Sequence, residues 1–154
     1  MADSFKIKYS SRIVPVEGLE SVDGSLERRL HSGVNKFLGG STEKTFSATS
    51  SRVKYKDYTT TTGAVNLEHS TIFNDSGLNL DFWYMGIREA GSTGTPDVTI
   101  GVSGVSAAFL KLVGVGDFLI MPMINSNFPG NAITISSSGS TTLAKVDILI
   151  GEIE

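Results

Sequence analysis

Near the start of the chain Phe5, Ile7 and Tyr9 alternate with Lys6, Lys8 and Ser10. A period of two buries one side of an extended chain and wets the other, so a first strand is predicted there. Residues 12–16 extend it after a break: Ile13 and Val14 are β-branched, and Pro15 restricts the segment to an edge or an end. The period then changes. Leu26, Leu30 and Val34 recur every fourth residue behind Asp23-Gly24-Ser25, with Phe37 and Leu38 continuing the stripe. That spacing predicts a short amphipathic helix. Gly33 weakens it and Gly39-Gly40 ends it, because glycine accepts the left-handed conformation of a helix C-terminus.

Beyond Gly39 helical periodicity is absent, and short alternating segments are separated by Gly, Ser, Thr, Asn or Asp. Strands are predicted near residues 45–49, 52–58, 64–68, 78–87, 98–102, 108–113, 117–123, 132–136 and 142–150. Their spacing is that of an all-β fold, an antiparallel β-sandwich with jelly-roll-like connections. The chain thus divides into an N-terminal arm, residues 1–38, with a strand and a short helix, and a sandwich domain, residues 39–154. In the segment at 78–87, Leu78, Leu80, Phe82 and Tyr84 fall on one face, and Asn79, Asp81, Trp83 and Met85 on the other. Both faces turn apolar toward its end, and so do those of residues 118–123. Such a surplus marks a central strand or a contact surface. Trp83, Met85, Phe118, Ile120, Met121 and Met123 are therefore the candidate subunit interface. The last strand sets Ala144, Val146, Ile148 and Ile150 against Lys145, Asp147 and Leu149, which ties the C-terminus into a sheet.

Composition narrows the classes. Hydrophobic residues are 40% of the 154, charged residues 19%, and Ser, Thr and Gly together about a third. This is neither a disordered chain nor a charged helical rod, and the length suits one core with an arm beside it. Without cysteine there is no disulfide, thiolate nucleophile or cysteine zinc site. The longest apolar run, residues 118–124, contains Pro122 and is too short to span a bilayer, and the first residues lack a signal-peptide core. A soluble chain made for the cytoplasm, without a membrane partner, is expected. Net charge is −3, unevenly spread: through Lys56 there are ten Lys/Arg against six Asp/Glu, and beyond it three against ten. The asymmetry reads either as a surface field that salt screens to little effect or as a basic N-terminal region that docks onto an acidic partner. Nucleic acid suits it poorly, since the basic residues are scattered and few aromatics lie among them.

Reactive constellations are lacking. His31 and His69 are the only imidazoles and sit in no metal-binding or nucleophile-activating pattern; solvated or capping roles are expected. Gly101-Val102-Ser103-Gly104 has its glycine one position too early for a nucleophile elbow, and Gly114-Val115-Gly116 lacks the lysine and hydroxyl of a phosphate loop. Asn74-Asp75-Ser76-Gly77-Leu78-Asn79-Leu80-Asp81 gathers oxygen ligands but has no acidic closing residue at calcium-loop spacing, and is expected to connect strands. The polar tracts at 59–63 and 136–140 are expected to be surface turns. Trp83, Tyr84, Tyr55 and Tyr58 include the rings a sugar would stack on, although aromatics in alternating strands more often build core. No catalytic residue, cofactor or metal is assigned, and an enzyme is not expected.

The run Leu38-Gly39-Gly40-Ser41-Thr42-Glu43-Lys44-Thr45-Phe46-Ser47-Ala48 is followed by Leu80-Asp81-Phe82-Trp83-Tyr84-Met85, Phe109-Leu110-Lys111-Leu112 and Val115-Gly116-Asp117-Phe118-Leu119. A serine-rich turn then precedes Val146-Asp147-Ile148-Leu149-Ile150-Gly151. In style and order these segments, spanning residues 39–154, resemble the small β-sandwich structural proteins of tailed-bacteriophage virions, especially capsid decoration (cement) and head-fibre base proteins. The resemblance implies a non-enzymatic virion protein on the capsid surface, assembled in the host cytoplasm. Its implied partners are itself, as a homotrimer, and the major capsid protein. The alternatives are a tail, neck or baseplate component, or a carbohydrate-binding receptor module. In that setting Lys6, Lys8, Arg12, Arg28 and Arg29 would offer positive charge to an acidic shell, and Leu26, Leu30 and Val34 would add packing.

Overall fold

The computed structural model describes residues 5–13, 16–20, 26–30, 38–46, 53–89, 97–103, 108–122, 128–137 and 143–152. The chain forms two compact units, a smaller one of Lys6–Thr45 and a larger one that holds Phe46–Glu154. The division falls after Thr45 rather than at Gly39, because strand β4 (Leu38–Phe46) pairs with β1 (Phe5–Ile13) in a two-stranded sheet.

In the smaller unit the expected helix is absent over residues 26–30. These residues are strand β3 (Leu26–Leu30), which pairs antiparallel with β2 (Val16–Glu20), from Val16 opposite Leu30 to Glu20 opposite Leu26. The reason lies in the spacing itself. Residues four apart share a helix face, but as a multiple of two they also share a strand face, and Asp-Gly between two such segments is a hairpin signal. Gly33, Val34 and Phe37 lie outside the described residues. Gly39 caps no helix either: it lies within β4 with φ of +128°, and a Cβ there would sit 2.1 Å from the Ser11 carbonyl oxygen. Only a residue without a side chain allows the two strands to approach so closely.

The larger unit is an antiparallel sandwich. One sheet runs β10 (Phe118–Pro122), β7 (Asn79–Glu89), β13 (Lys145–Glu152), β5 (Val53–Thr59), with β11 (Phe128–Pro129) pairing farther along β7. The other runs β6 (Val65–Asn66), β12 (Ile133–Ser136), β8 (Asp97–Val102), β9 (Ala108–Val113). Alternation in β13 sends Val146, Ile148 and Ile150 inward, where they meet Trp83, Met85 and Ile87 of β7 and Val98, Ile100, Ile133 and Ile135 of the second sheet in one buried cluster. Leu119 and Met121 of β10 pack against the same cluster.

Trp83 and Met85 therefore cannot form a subunit interface: both are 0% exposed between the sheets. The alternation expected along β7 also changes. Asp81 and Arg88 are extra residues against β13, since Gly151 pairs with Phe82 but Glu152 with Leu80, and Val146 with Ile87 but Lys145 with Glu89. Each bulge shifts the facing by one, so Leu80 joins Trp83 in the core while Phe82, Tyr84 and Gly86 take the opposite side of the strand, where Phe82 is nevertheless buried. The Trp83 Nε1 and Tyr58 hydroxyl are buried without a hydrogen-bond partner, a cost of about 1–3 kcal/mol each that the apolar burial of the same side chains must exceed.

On edge strand β5, Lys54 and Lys56 occupy inward positions beside Tyr58, paired with Ile150 and Ile148. Lys54 ends the core with ion pairs to Asp75, in the loop before β7, and to Glu152 Oε2 at 2.8 Å. Burial alone would depress its ammonium, but the hydrogen bonds to Asp75 and Glu152 outweigh that and raise its pKa above the ordinary lysine value. This stabilisation is complete below the ordinary lysine range and is lost as pH rises through the raised value. Lys54→Ala is expected to cost about 1–3 kcal/mol, because Glu152, with its side chain 12% exposed, loses its partner. Ile148→Ala is expected to cost about 2–5 kcal/mol, against about 0.5 or less for exposed Tyr55→Ala. Urea denaturation checks both.

Candidate functional site

The outward side of the β10–β7–β13–β5 sheet carries the most chemistry. Pairing lines its residues up in transverse rows. Tyr55, Leu149, Tyr84 and Ile120 form one row, and Asp57, Asp147, Gly86 and Phe118 form the next. Row by row, an apolar band lies beside one that is charged toward β5 and apolar toward β10.

Two glycines shape this surface. A Cβ on Gly86 would lie 2.4 Å from the Tyr84 hydroxyl, so the Tyr84 ring leans over Gly86, toward Phe118, whose centroid is 6.3 Å away. A Cβ on Gly151 would lie 2.3 Å from the Phe46 ring, which rests on that position and is itself buried. Tyr55 leans the same way as Tyr84, because its hydroxyl donates to Asp147 Oδ1 at 2.6 Å. Its ring remains 61% exposed. Arg88, displaced by its bulge, donates through Nη2 to Asp57 Oδ2 at 2.6 Å and brings Nε to 3.8 Å from Asp147 Oδ1. One guanidinium thus compensates two carboxylates placed directly opposite each other on neighbouring strands.

A second surface lies at the turn from β9 to β10. Val113, Val115 and Phe118 are 50%, 58% and 54% exposed. Gly114 and Gly116 take positive φ values, +112° and +95°, that allow the tight reversal. Asp117 accepts from the Val113 amide at 2.9 Å, and the Gly116 amide donates to the Ile87 carbonyl at 2.9 Å, which fastens this apolar corner to β7.

The expected site residues are distributed unequally. Phe118 and Ile120 are on the outer face, Met121 packs inward, and Met123 lies outside the described residues. In the arm, Lys6 and Lys8 share one carboxylate, with Nζ atoms 2.6 and 3.4 Å from Glu43. The hydrogen bond from Lys6 holds the Glu43 carboxyl below its ordinary pKa. Lys8 and Glu43 with Tyr9, Ser10, Ser41 and Thr42 line a hollow of about 450 Å³. Arg12 is the penultimate residue of β1, and Leu26, Arg28, Arg29 and Leu30 lie on β3. Val34 and His31 lie outside the described residues.

The motif-like segments have structural roles. His69 accepts from the Thr71 amide through Nδ1 at 3.2 Å and so caps its turn. Asp75 is engaged by Lys54, and the Gly77 amide donates to Glu68 at 3.0 Å. Among the described residues no three His, Cys, Asp or Glu side chains converge as metal ligands. Thr60 does not lie at the surface with the rest of its tract: it is buried and accepts from the Ala144 amide at 2.9 Å. The four aromatic residues of the sugar-platform alternative separate, Trp83 and Tyr58 to the core, Tyr55 and Tyr84 to the outer face. Sequence reading missed the Arg88 network, which depends on a bulge, and Val115, whose signal was an apolar residue between two turn glycines. Comparison with protein-family models, with curated proteins and with solved structures finds no match to the chain.

The hydrogen bond to Asp147 raises the Tyr55 phenol above its ordinary pKa, since the neutral form is the donor. Its stabilisation is present below the ordinary tyrosine value and lost as pH climbs through the raised one. In an ultraviolet difference titration, Asp147→Asn is expected to bring one tyrosine back toward the ordinary range.

Proposed function

We propose that the chain is a non-enzymatic virion structural protein that decorates and cements a tailed-phage capsid as a homotrimer. The observation that carries this is the apolar corner of Val113, Val115 and Phe118, held rigidly at the turn where one sheet passes into the other. Large apolar side chains on a fixed edge favour cover by another protein surface, and a like subunit supplies one of matching shape at every symmetric position. Phe118 and Ile120 stay in the proposed interface, joined by Val113 and Val115, while Trp83 and Met85 leave it for the core.

Charge gives the orientation. The unit Lys6–Thr45 has seven Lys/Arg against five Asp/Glu, whereas Phe46–Glu154 has six against ten. The basic unit, with Lys6, Lys8 and Arg12 on β1 and Arg28 and Arg29 on β3, docks onto the major capsid protein. Contacts repeated by symmetry add through effective concentration, so weak single interfaces suffice to hold capsomers together.

Electron microscopy of intact particles from the source of the gene, with antibody labelling, is expected to show the chain at symmetric positions on the outer shell. Its absence from such particles overturns the proposal. In light scattering at micromolar concentration, Phe118→Asp is expected to turn a trimer into a monomer at nearly unchanged stability.

A further inference from the structure

We propose that the outer face between β5 and β7 binds a neutral carbohydrate chain, with Tyr55 and Tyr84 as stacking rings and Asp57, Asp147 and Arg88 as the hydroxyl-binding edge. The inference does not rest on the capsid role, and its surface adjoins the β9–β10 corner, where the Phe118 ring lies 6.3 Å from that of Tyr84.

Ring attitude carries it. A side chain that stands up from a sheet offers its edge and tip, whereas Tyr55 is drawn down by its bond to Asp147 and Tyr84 leans over Gly86. Both lean toward the same row, along the sheet rather than away from it. A pyranose presents a flat patch of C–H groups, which matches the face of an aromatic ring. The two tyrosines stand two strand spacings apart, about 10 Å, with the shorter Leu149 between them. That span suits successive units of an extended chain rather than a single sugar.

Polar capacity lies along one side of the rings. A carboxylate offers about four acceptor sites, and Tyr55 and Arg88 leave most of those on Asp57 and Asp147 open. Arg88 retains further N–H donors. Their side chains are 51%, 27% and 44% exposed, for Asp57, Asp147 and Arg88 in turn. Paired donors and acceptors fixed in one row are what vicinal hydroxyls need. Two carboxylates against one guanidinium leave a net charge of 1 − 2 = −1, which disfavours an anionic ligand, and the remaining hydrogen-bonding capacity suits uncharged hydroxyls.

Area decides against a second copy of the chain on the β5–β7 part of this face alone. A fully exposed aromatic side chain offers about 150–250 Å², so Tyr55, Tyr84 and Leu149 together show far less than the roughly 800 Å² per partner of a stable protein interface.

The test uses the full chain and cellohexaose, chitohexaose and maltohexaose as probes, read by amide chemical shifts and calorimetry. At least one hexasaccharide is expected to shift the resonances of Tyr55, Leu149, Tyr84 and Arg88. Tyr55→Ala and Tyr84→Ala are each expected to weaken that binding about tenfold. Gly86→Ala displaces the Tyr84 ring without removing it and is expected to weaken binding too. Tyr55→Phe, which keeps the ring but removes the bond to Asp147 that draws it down, is expected to weaken binding as well. The proposal falls if none of the three sugars perturbs these residues, or if binding is unchanged in both alanine variants with native spectra. It also falls if the same resonances respond only to protein concentration, which would assign the face to a second copy. The sugar outcomes do not bear on whether the chain sits on a capsid.

Discussion

If β13 slipped by one residue, Val146, Ile148 and Ile150 would exchange places with Lys145, Asp147 and Leu149, and the sandwich would lose its centre. The register of this strand between β5 and β7 sets which residues are core, because it has hydrogen-bonded neighbours on both sides. It equally sets the outer surface. Leu149 falls between Tyr55 and Tyr84, and Asp147 falls between Asp57 and Gly86, as a consequence of the same alignment. Core and surface are two readings of one ladder.

Within that frame β7 is the strand that departs from regularity. Its bulges at Asp81 and Arg88 bracket residues 82–87, returning Leu80 to the interior at one end and freeing Arg88 to reach across two strands at the other. Glycine then supplies room rather than flexibility. The absent side chain of Gly86 is replaced by the Tyr84 ring, and that of Gly151 by the Phe46 ring. Aromatic surface thereby lies along the sheet, a lower and flatter topography than alternating side chains would build.

Much of the sandwich was legible because half-buried strands write their facing into alternation: β5, β7, β8, β9, β10, β12 and β13 all fall within a few residues of the segments predicted. The hairpin of β2 and β3 was not, since Leu26 and Leu30 satisfy a helix and a strand alike and five residues are too few to separate the two periods. Trp83 and Met85 were misplaced for a different reason. An apolar residue on a strand looks the same to the sequence whether its cover is the other sheet or another molecule, and only the second sheet, contributed by distant segments, distinguishes them. The network of Tyr55, Asp57, Arg88 and Asp147 draws on residues up to 92 positions apart. No local pattern announces it.

The lysines of β5 have a consequence for molecules at high concentration. An edge strand with open N–H and C=O groups invites a neighbour's edge to continue the sheet, a route to fused and irreversible aggregates. Lys54 and Lys56 sit at inward positions of that edge. A foreign strand adding to β5 would carry the Lys56 ammonium into a dry interior at the expense of stripping its water, and would crowd the ion pairs that Lys54 makes with Asp75 and Glu152. Polymerisation through this sheet edge is thereby disfavoured, and any association is left to side chains, where it can be reversed.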